Sequence, residues 1–274
     1  MERIAHRECY RRSDRQNWGR VTESGRWRPW RGRSAWVEHA PQEGPALAPS
    51  CYHKIGHDAA AVEGLFVDVF LEAHRQPPPL IVLDIDATDD PLHGHQESRF
   101  FHGYYDGYCY LPLYVFCGEH LLCAKLRPSN IDAAAGAREE IARIVAQVRA
   151  RWPNTTIVLR ADSGFCRDEL MSWAEQEGVH YVIGVARNSR LVAWIEAELA
   201  AAHEEATATG RPARRFKDFM WTTRESWSPE SRVVAKAEWT KGEANPRFIV
   251  SSLPSDCVDA RTLYEDRGSA YARH

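Results

Sequence analysis

Residues 80–88 have the sequence LIVLDIDAT, and this stretch decides the fold. Four apolar residues come first, and two acids, Asp84 and Asp86, then occupy alternate positions. A short, continuous apolar run predicts a strand that is buried within a sheet. Because side chains alternate along a strand, both acids should lie on the same face. The sequence therefore predicts a buried strand that ends in carboxylates.

Residues 156–165, with the sequence TIVLRADSGF, follow the same pattern. A second apolar run leads into an acid, Asp162. An aspartate at a strand end can simply cap a turn or a helix. Carboxylates at the ends of adjacent strands, however, converge and can hold two Mg²⁺ ions about 3.5–4 Å apart. Such an ion pair activates a water or hydroxyl and stabilises the leaving oxygen in phosphoryl transfer.

Hydrophobic periodicity indicates the other elements. A helix is predicted at 58–74, ended by the three prolines at 77–79. Its expected apolar stripe consists of Val62, Leu65, Phe66, Val69 and Phe70. A second helix is predicted at 131–152, with Asp132 as its N-cap. Further helices are predicted at 167–178 and 190–205, and strands at 108–116, 120–127, 179–186, 216–223, 231–239 and 246–252.

The order of these elements predicts the fold class. The first three strands have short connections and should form a meander, whereas the later strands alternate with helices and should add in parallel through right-handed crossovers. We expect an α/β fold with an RNase H-like mixed sheet flanked by helices and a β-rich insert, and not a doubly wound Rossmann sheet. The expected segments are an irregular leader and linker at 1–50, a catalytic core at 51–205, the insert at 206–253 and a tail at 254–274.

Composition excludes some classes of protein. The net charge is −3, although residues 1–36 contain ten arginines and four acids, so any DNA contact must come from local patches. No apolar run is long enough to span a membrane, and the N-terminus lacks the apolar core of a signal peptide. The seven cysteines include no CxxC pair, which is typical of reduced thiols. We therefore expect a cytoplasmic protein without a membrane span.

Two further motifs lie between the first two strands. His93 and His95 form an HxH pair that could bind zinc, but no CxxC or HxxxH partner accompanies it, and histidines beside a carboxylate site more often contact phosphate. Residues 100–106, FFHGYYD, form either an aromatic surface on which bases stack or a packed edge with a turn at Gly103. A Walker loop and a GxGxxG motif are absent, so the sequence does not support nucleotide-cofactor chemistry. A GxSxG elbow is absent as well.

The DIDAT segment also matches the DxDxT signature of haloacid-dehalogenase-like phosphatases. In those enzymes the first aspartate attacks phosphorus and the second is a general acid. A Ser or Thr and then a Lys should follow before the last acidic motif. Lys125 is the one lysine between residues 88 and 162, and it precedes Ser129. This order departs from the phosphatase pattern, but the DxDxT match keeps a phosphatase as an alternative.

Several stretches together resemble DDE transposases of bacterial insertion sequences, in the insertion-sequence 1380 branch. They include VLDIDATDDPLHGHQESRFFHGYYDGYCYLPLYVFCGEHLL, AKLRPSNIDAAAG, VRARWPNTTIVLRADSGFCRDELMSW, YVIGVARN and NPRFIVSSL. The resemblance implies metal-dependent cleavage of element ends and joining of the 3′-hydroxyl to target DNA, with Mg²⁺ or Mn²⁺ as cofactor, DNA as partner and a homo-oligomer as the assembly. It implies that Asp86 and Asp162 are the first two catalytic acids and bind the metal, with Asp84 as the fallback for the first acid. DNA-binding residues are not identified.

The third acid of this family is a Glu in the pattern Tyr-x-x-Arg-x-x-x-Glu. Tyr264 and Arg267 fit the start of that pattern, but Tyr271 occupies the position of the Glu. The sequence therefore predicts a copy that is truncated at its C-terminus and inactive in catalysis. The alternative is a remnant that binds DNA, or dimerises with an intact transposase, without catalysis.

Overall fold

The computed structural model describes residues 58–240 and 242–266. The helices of this part are α1 (Ala59–Ala73), α2 (Ala137–Arg151), α3 (Asp168–Gln176), α4 (Ser189–Ala193), α5 (Glu196–Thr209) and α6 (Ala260–Asp266). The strands are β1 (Leu80–Ala87), β2 (Asp90–Pro91), β3 (Phe100–His102), β4 (Gly107–Tyr110), β5 (Leu113–Cys117), β6 (His120–Lys125), β7 (Thr156–Ala161), β8 (His180–Val185), β9 (Ala213–Trp221), β10 (Ser231–Thr240), β11 (Glu243–Ala244) and β12 (Arg247–Ser251). The leader and linker expected at 1–50, and the pattern that includes Arg267 and Tyr271, lie outside the described residues.

Strand β1 lies within a large mixed sheet. It pairs antiparallel with β5 and parallel with β7, while β5 continues antiparallel to β6 and β7 continues parallel to β8. The order β6-β5-β1-β7-β8 therefore joins an antiparallel meander to parallel strands, which the chain reaches through α2 and α3. This arrangement confirms the predicted α/β class, with a mixed sheet flanked by helices.

The β-rich segment extends the same sheet. Strand β12 pairs with β8, β10 pairs with β12, and both β9 and β11 pair with β10, all antiparallel. The strands predicted at 216–223, 231–239 and 246–252 correspond to β9, β10 and β12. Helix α5 continues across the boundary expected between the core and the insert at residues 205–206, so that boundary lies inside a helix.

A small three-stranded sheet, in the order β2-β4-β3, lies between β1 and β5 in the sequence. The single strand predicted at 108–116 was wrong, because the chain leaves the small sheet after Tyr110 and enters the large sheet at Leu113. Pro112 has no N–H to donate to a continuous ladder. The N–H of Leu111 instead donates to the carbonyl of Arg127 (2.9 Å).

Helix α1 buries only part of the predicted stripe. Phe70 of the stripe is buried together with Val67 and Leu71, whereas Val62 and Val69 of the stripe are exposed. The buried face packs on β6 and α2. Because apolar residues occur on more than one face of this helix, its sequence pattern does not determine which face meets the sheet.

Helix α2 begins at Ala137, later than predicted, and Asp132 is not its N-cap. Oδ1 of Asp132 accepts the N–H of Ala134 (2.9 Å) within a turn. Gly136 precedes the helix with φ of 73°, a left-handed conformation that favours glycine. The local bond of Asp132 therefore stabilises the turn and delays the start of the helix.

Apolar layers cover both faces of the large sheet. On one face, Leu83 of β1 belongs to a core with Ile141 of α2 and Leu170 of α3. On the other face, Val158 of β7 belongs to a core with Leu263 of α6. None of the described helices is long and apolar enough to cross a membrane.

Candidate active site at the carboxyl edge of the sheet

Asp86 and Asp162 occupy equivalent positions on neighbouring parallel strands. Ile85 of β1 is paired with Ala161 of β7, so the next residue on each strand is one of the two acids. Both side chains belong to exposed residues. Neighbouring strands lie about 4.8 Å apart. The two acids that the sequence singled out therefore each directly follow one member of the paired residues Ile85 and Ala161.

The backbone at Asp162 is fixed by close packing. Oδ1 of Asp162 accepts the N–H of Gly164 (2.8 Å) and caps a short 3-10 helix, Ser163–Phe165. Gly184 of β8 lies directly against this turn, since a Cβ atom there would lie 3.0 Å from the Ser163 nitrogen and 3.3 Å from the Asp162 carbonyl carbon. A larger side chain at Gly184 would push this backbone away from β8.

Asp84 has a different environment from that of Asp86. It is paired across β1 and β7 with Arg160, whose Nε donates to Oδ1 and whose Nη2 donates to Oδ2 (2.6 Å). The hydrogen bonds that Arg160 donates to Asp84 raise the pKa of Arg160 above its ordinary value. Both carboxylate oxygens of Asp84 are therefore occupied by one guanidinium. Sequence reasoning missed Arg160, although it precedes Asp162 by the same interval by which Asp84 precedes Asp86.

Tyr105, in the turn between β3 and β4, lies beside the two acids. Its hydroxyl is 3.5 Å from the carbonyl oxygen of Ala87, the residue after Asp86. Burial raises the pKa of Tyr105, and the negative charges of Asp89, Asp86 and Asp162 raise it further. Nothing in the sequence pattern indicated this approach, because it depends on how the small sheet folds over the end of β1.

The other sequence candidates lie elsewhere. Nδ1 of His95 is 2.8 Å from Nη2 of Arg99, and Lys125 donates to Oε1 of Glu140 (2.5 Å). Within the part of the chain that the structure describes, no group of three His, Cys, Asp or Glu side chains could hold a metal ion. The structure therefore gives no zinc site to His93 and His95.

Basic residues follow β8 at the same edge of the sheet. Arg187 is exposed and, among the described residues, has no hydrogen-bond or ion-pair partner. Asn188 accepts the N–H of Leu191 (3.0 Å) and so caps α4. A cavity of about 550 Å³ opens here, and it is lined by Arg187, Asn188, Ser189, Val192, Ala193, Glu196 and Leu199.

A comparison with known families identifies the class of protein to which this chain belongs. Residues 40–273 match the family described as Transposase DDE domain group 1. The chain belongs to this family. The predicted resemblance to DDE transposases is thereby confirmed at the level of the family. A comparison with curated proteins gave no match.

Solved structures similar to this DDE family member include two transposases and a nuclease. The piggyBac transposase in a synaptic complex with hairpin DNA is 13% identical, with a TM-score of 0.43 over 72% of this chain. The Mos1 transposase in a paired-end complex with the left transposon end is 10% identical, with a TM-score of 0.26 over 60% of this chain. Ciona intestinalis Endonuclease V in complex with inosine-containing DNA is 12% identical, with a TM-score of 0.30 over 76% of this chain and 85% of its own. The chain spans 39% and 54% of the two transposase chains.

Proposed function

We propose that this member of the DDE transposase family cleaves DNA at the ends of a mobile element and joins the 3′-hydroxyl to target DNA, in a reaction that depends on Mg²⁺ or Mn²⁺. The inactive copy predicted from Tyr271 at the position of the third acid stays a prediction, and the cleavage test below decides between the two. Asp86 and Asp162 would bind the metal. The observation that carries the proposal is that each acid directly follows one member of Ile85–Ala161, the last residue pair between the parallel strands β1 and β7, at their carboxyl edge. Membership of the family supports the class of reaction.

The chemistry of the two side chains fits a hard divalent cation. Both are carboxylates on exposed residues, and Mg²⁺ is usually bound by one or two carboxylates together with substrate phosphates. The mutual repulsion of two neighbouring carboxylates is relieved when a cation binds between them. When bound, Mg²⁺ or Mn²⁺ would polarise the scissile phosphate and favour ionisation of the attacking water or hydroxyl.

Neighbouring residues would keep the two acids in position. Arg160 neutralises Asp84, so this third carboxylate neither competes for the cation nor repels the phosphate. The close contact at Gly184 fixes the backbone of Asp162. The hydroxyl of Tyr105 is a neutral group, and it would be a hydrogen-bond donor for a phosphate oxygen at this edge.

DNA as substrate and a homo-oligomer as the active assembly belong to the same proposal. Because the net charge is −3, contacts to the phosphate backbone must come from local basic groups. Arg187 is suited to this role, since it lies on the loop after β8 and has no partner among the described residues. Light scattering with and without DNA would give the number of copies in the assembly.

The arrangement does not support the phosphatase alternative. A nucleophilic Asp84 would need a carboxylate oxygen free to attack phosphorus, with Lys125 nearby. Both oxygens of Asp84 instead accept hydrogen bonds from Arg160, and Lys125 is bound to Glu140. Turnover of an aryl phosphate that disappears in Asp84→Asn would overturn this assignment.

The test is cleavage of a DNA fragment that carries the terminal repeats of the element, with Mg²⁺ or Mn²⁺ and with EDTA. We expect specific nicking at the repeat boundary that requires the metal and falls about a hundredfold or more in Asp86→Asn and in Asp162→Asn. Asp256→Asn is the matched control, because Asp256 is an exposed aspartate on the loop after β12. Undiminished nicking by Asp162→Asn would contradict the proposal. Binding of the repeats without any nicking would favour the alternative of a DNA-binding protein without catalysis.

A further inference from the structure

The small sheet and its connecting turn expose a group of aromatic rings, and three of them are about half exposed or more. Phe101 of β3 and Tyr108 of β4 are a cross-strand pair, with ring centroids 5.7 Å apart. Their exposed fractions are 54% and 49%, and Tyr104 in the connecting turn is 77% exposed. Large apolar side chains that cluster on a surface commonly mark an interaction site. We call Phe101, Tyr104 and Tyr108 the aromatic patch.

The aromatic patch is continuous with the carboxylate edge. The rings of Tyr104 and Tyr105 meet at 89°, with centroids 5.0 Å apart. Tyr105 in turn lies over the carbonyl of Ala87, next to Asp86. Tyr104 and Tyr105, two successive residues of one turn, therefore connect one ring of the patch to the residue that follows Asp86.

Hydrogen bonds anchor the small sheet to its surroundings. Oγ of Ser129 donates to the carbonyl of Phe100 (3.0 Å), and the hydroxyl of Tyr110 donates to the carbonyl of Glu97 (2.5 Å). The rings of the aromatic patch are thus presented on an ordered backbone, which lowers the entropy lost when a ligand binds.

A cation accompanies the rings. The guanidinium of Arg99 lies 4.7 Å from the ring centroid of Tyr108, and it is held there by bonds to the carbonyl of Gly94 and to His95. Exposed aromatic faces next to a guanidinium match the chemistry of single-stranded nucleic acid, in which every base has a π-face and every link carries a phosphate. In a duplex the π-faces of the bases are covered by neighbouring bases, so unpaired bases fit the aromatic patch better.

We propose that the aromatic patch is a stacking surface for unpaired bases of the DNA strand that is cut at the site formed by Asp86 and Asp162. This inference rests on the proposed function and adds to it a preference for single-stranded or frayed DNA beside the cleavage position. Stacking on an aromatic ring strengthens binding whatever the base, because every base has a π-face. The surface therefore increases affinity and positions the strand without reading its sequence.

The test is fluorescence anisotropy with a short fluorescein-labelled oligodeoxythymidylate in EDTA, so that binding is measured without metal or cleavage. We expect the affinity of the double variant Phe101→Ala/Tyr104→Ala to fall about tenfold or more. Phe101→Tyr/Tyr104→Phe should bind like the original chain because it keeps both rings. Met220→Ala, at a similarly exposed side chain on β9, is the control for loss of an exposed apolar group. Circular dichroism checks that each variant is folded.

Salt dependence separates stacking from phosphate contact. The slope of log affinity against log salt concentration should be unchanged in the double alanine variant, because it reports on phosphate contacts. Equal affinity of the double variant and the original chain would overturn the inference. So would a double variant that changes only the oligomeric state, since the patch would then be a contact between copies of the chain. If the chain cuts DNA but binds no single strand, this inference fails alone; if it neither binds nor cuts DNA, both proposals fail.

Discussion

Arg160 binds both carboxylate oxygens of Asp84, and this pair lies two residues before Asp86 and Asp162 on their two strands. The parallel register of β1 and β7 places Arg160 opposite Asp84. A neutralised acid, Asp84, therefore lies two residues before the exposed Asp86 on the same strand. Both partners are about a third exposed, so the pair lies between a surface ion pair and a buried one. This relationship distinguishes the two aspartates of the DxD segment, since Asp84 is half-buried and bound by Arg160 whereas Asp86 is exposed.

Removal of Arg160 should destabilise the protein through Asp84. We expect Arg160→Ala to lower the free energy of unfolding by about 1–3 kcal/mol, because it leaves a half-buried carboxylate without its partner. Urea unfolding measures this change. The double variant Arg160→Ala/Asp84→Ala should recover part of the loss, since no uncompensated charge remains. Strictly additive losses would show that the two residues are not coupled.

Substitution of Gly184 should impair the site more than the fold. In Gly184→Ala the new Cβ would lie 3.0 Å from the Ser163 nitrogen, so the backbone that carries Asp162 must move. We expect DNA cleavage to fall about tenfold or more, since a shift of about 1 Å at a reacting group can cost a hundredfold. Gly64→Ala is the control, because its Cβ would meet only Gln147 at 4.0 Å. Full activity in Gly184→Ala would contradict the proposed role of this contact.

Glu140 should make stability sensitive to acid. Burial alone would raise the pKa of Glu140, but hydrogen bonds from Lys125 and Arg143 outweigh burial and lower the pKa. A lowered pKa in the folded state stabilises the protein above the ordinary glutamate pKa, and this contribution is lost as pH falls through the folded-state value.

We therefore expect Glu140→Gln to cost about 1–3 kcal/mol near neutral pH and progressively less in acid. Denaturant unfolding at a series of pH values measures the difference. Glu139→Gln is the control, because Glu139 is the adjacent glutamate in the same helix and its side chain is 58% exposed. A deficit in Glu140→Gln that stays constant down to low pH would contradict this explanation.

The mixed sheet and its acids could be predicted because they depend on local pattern. Apolar runs that end in Asp86 and Asp162 predict strands, and parallel pairing then brings their ends together. The contacts of Arg160 and Tyr105 could not be predicted, because they depend on strand register and on the packing of the small sheet. The predicted stripe of α1 was only partly correct for a related reason, since a helix with apolar residues on several faces is oriented by its neighbours.

Binding of Mn²⁺ followed by electron paramagnetic resonance tests the central claim most directly, because it does not depend on the DNA sequence. The account predicts that the chain binds Mn²⁺ and that Asp86→Asn and Asp162→Asn each weaken binding by about tenfold or more. The double variant should be little worse than either single variant, because the two carboxylates act as one site, and Asp256→Asn should bind normally. Unchanged Mn²⁺ affinity in Asp162→Asn would contradict the account.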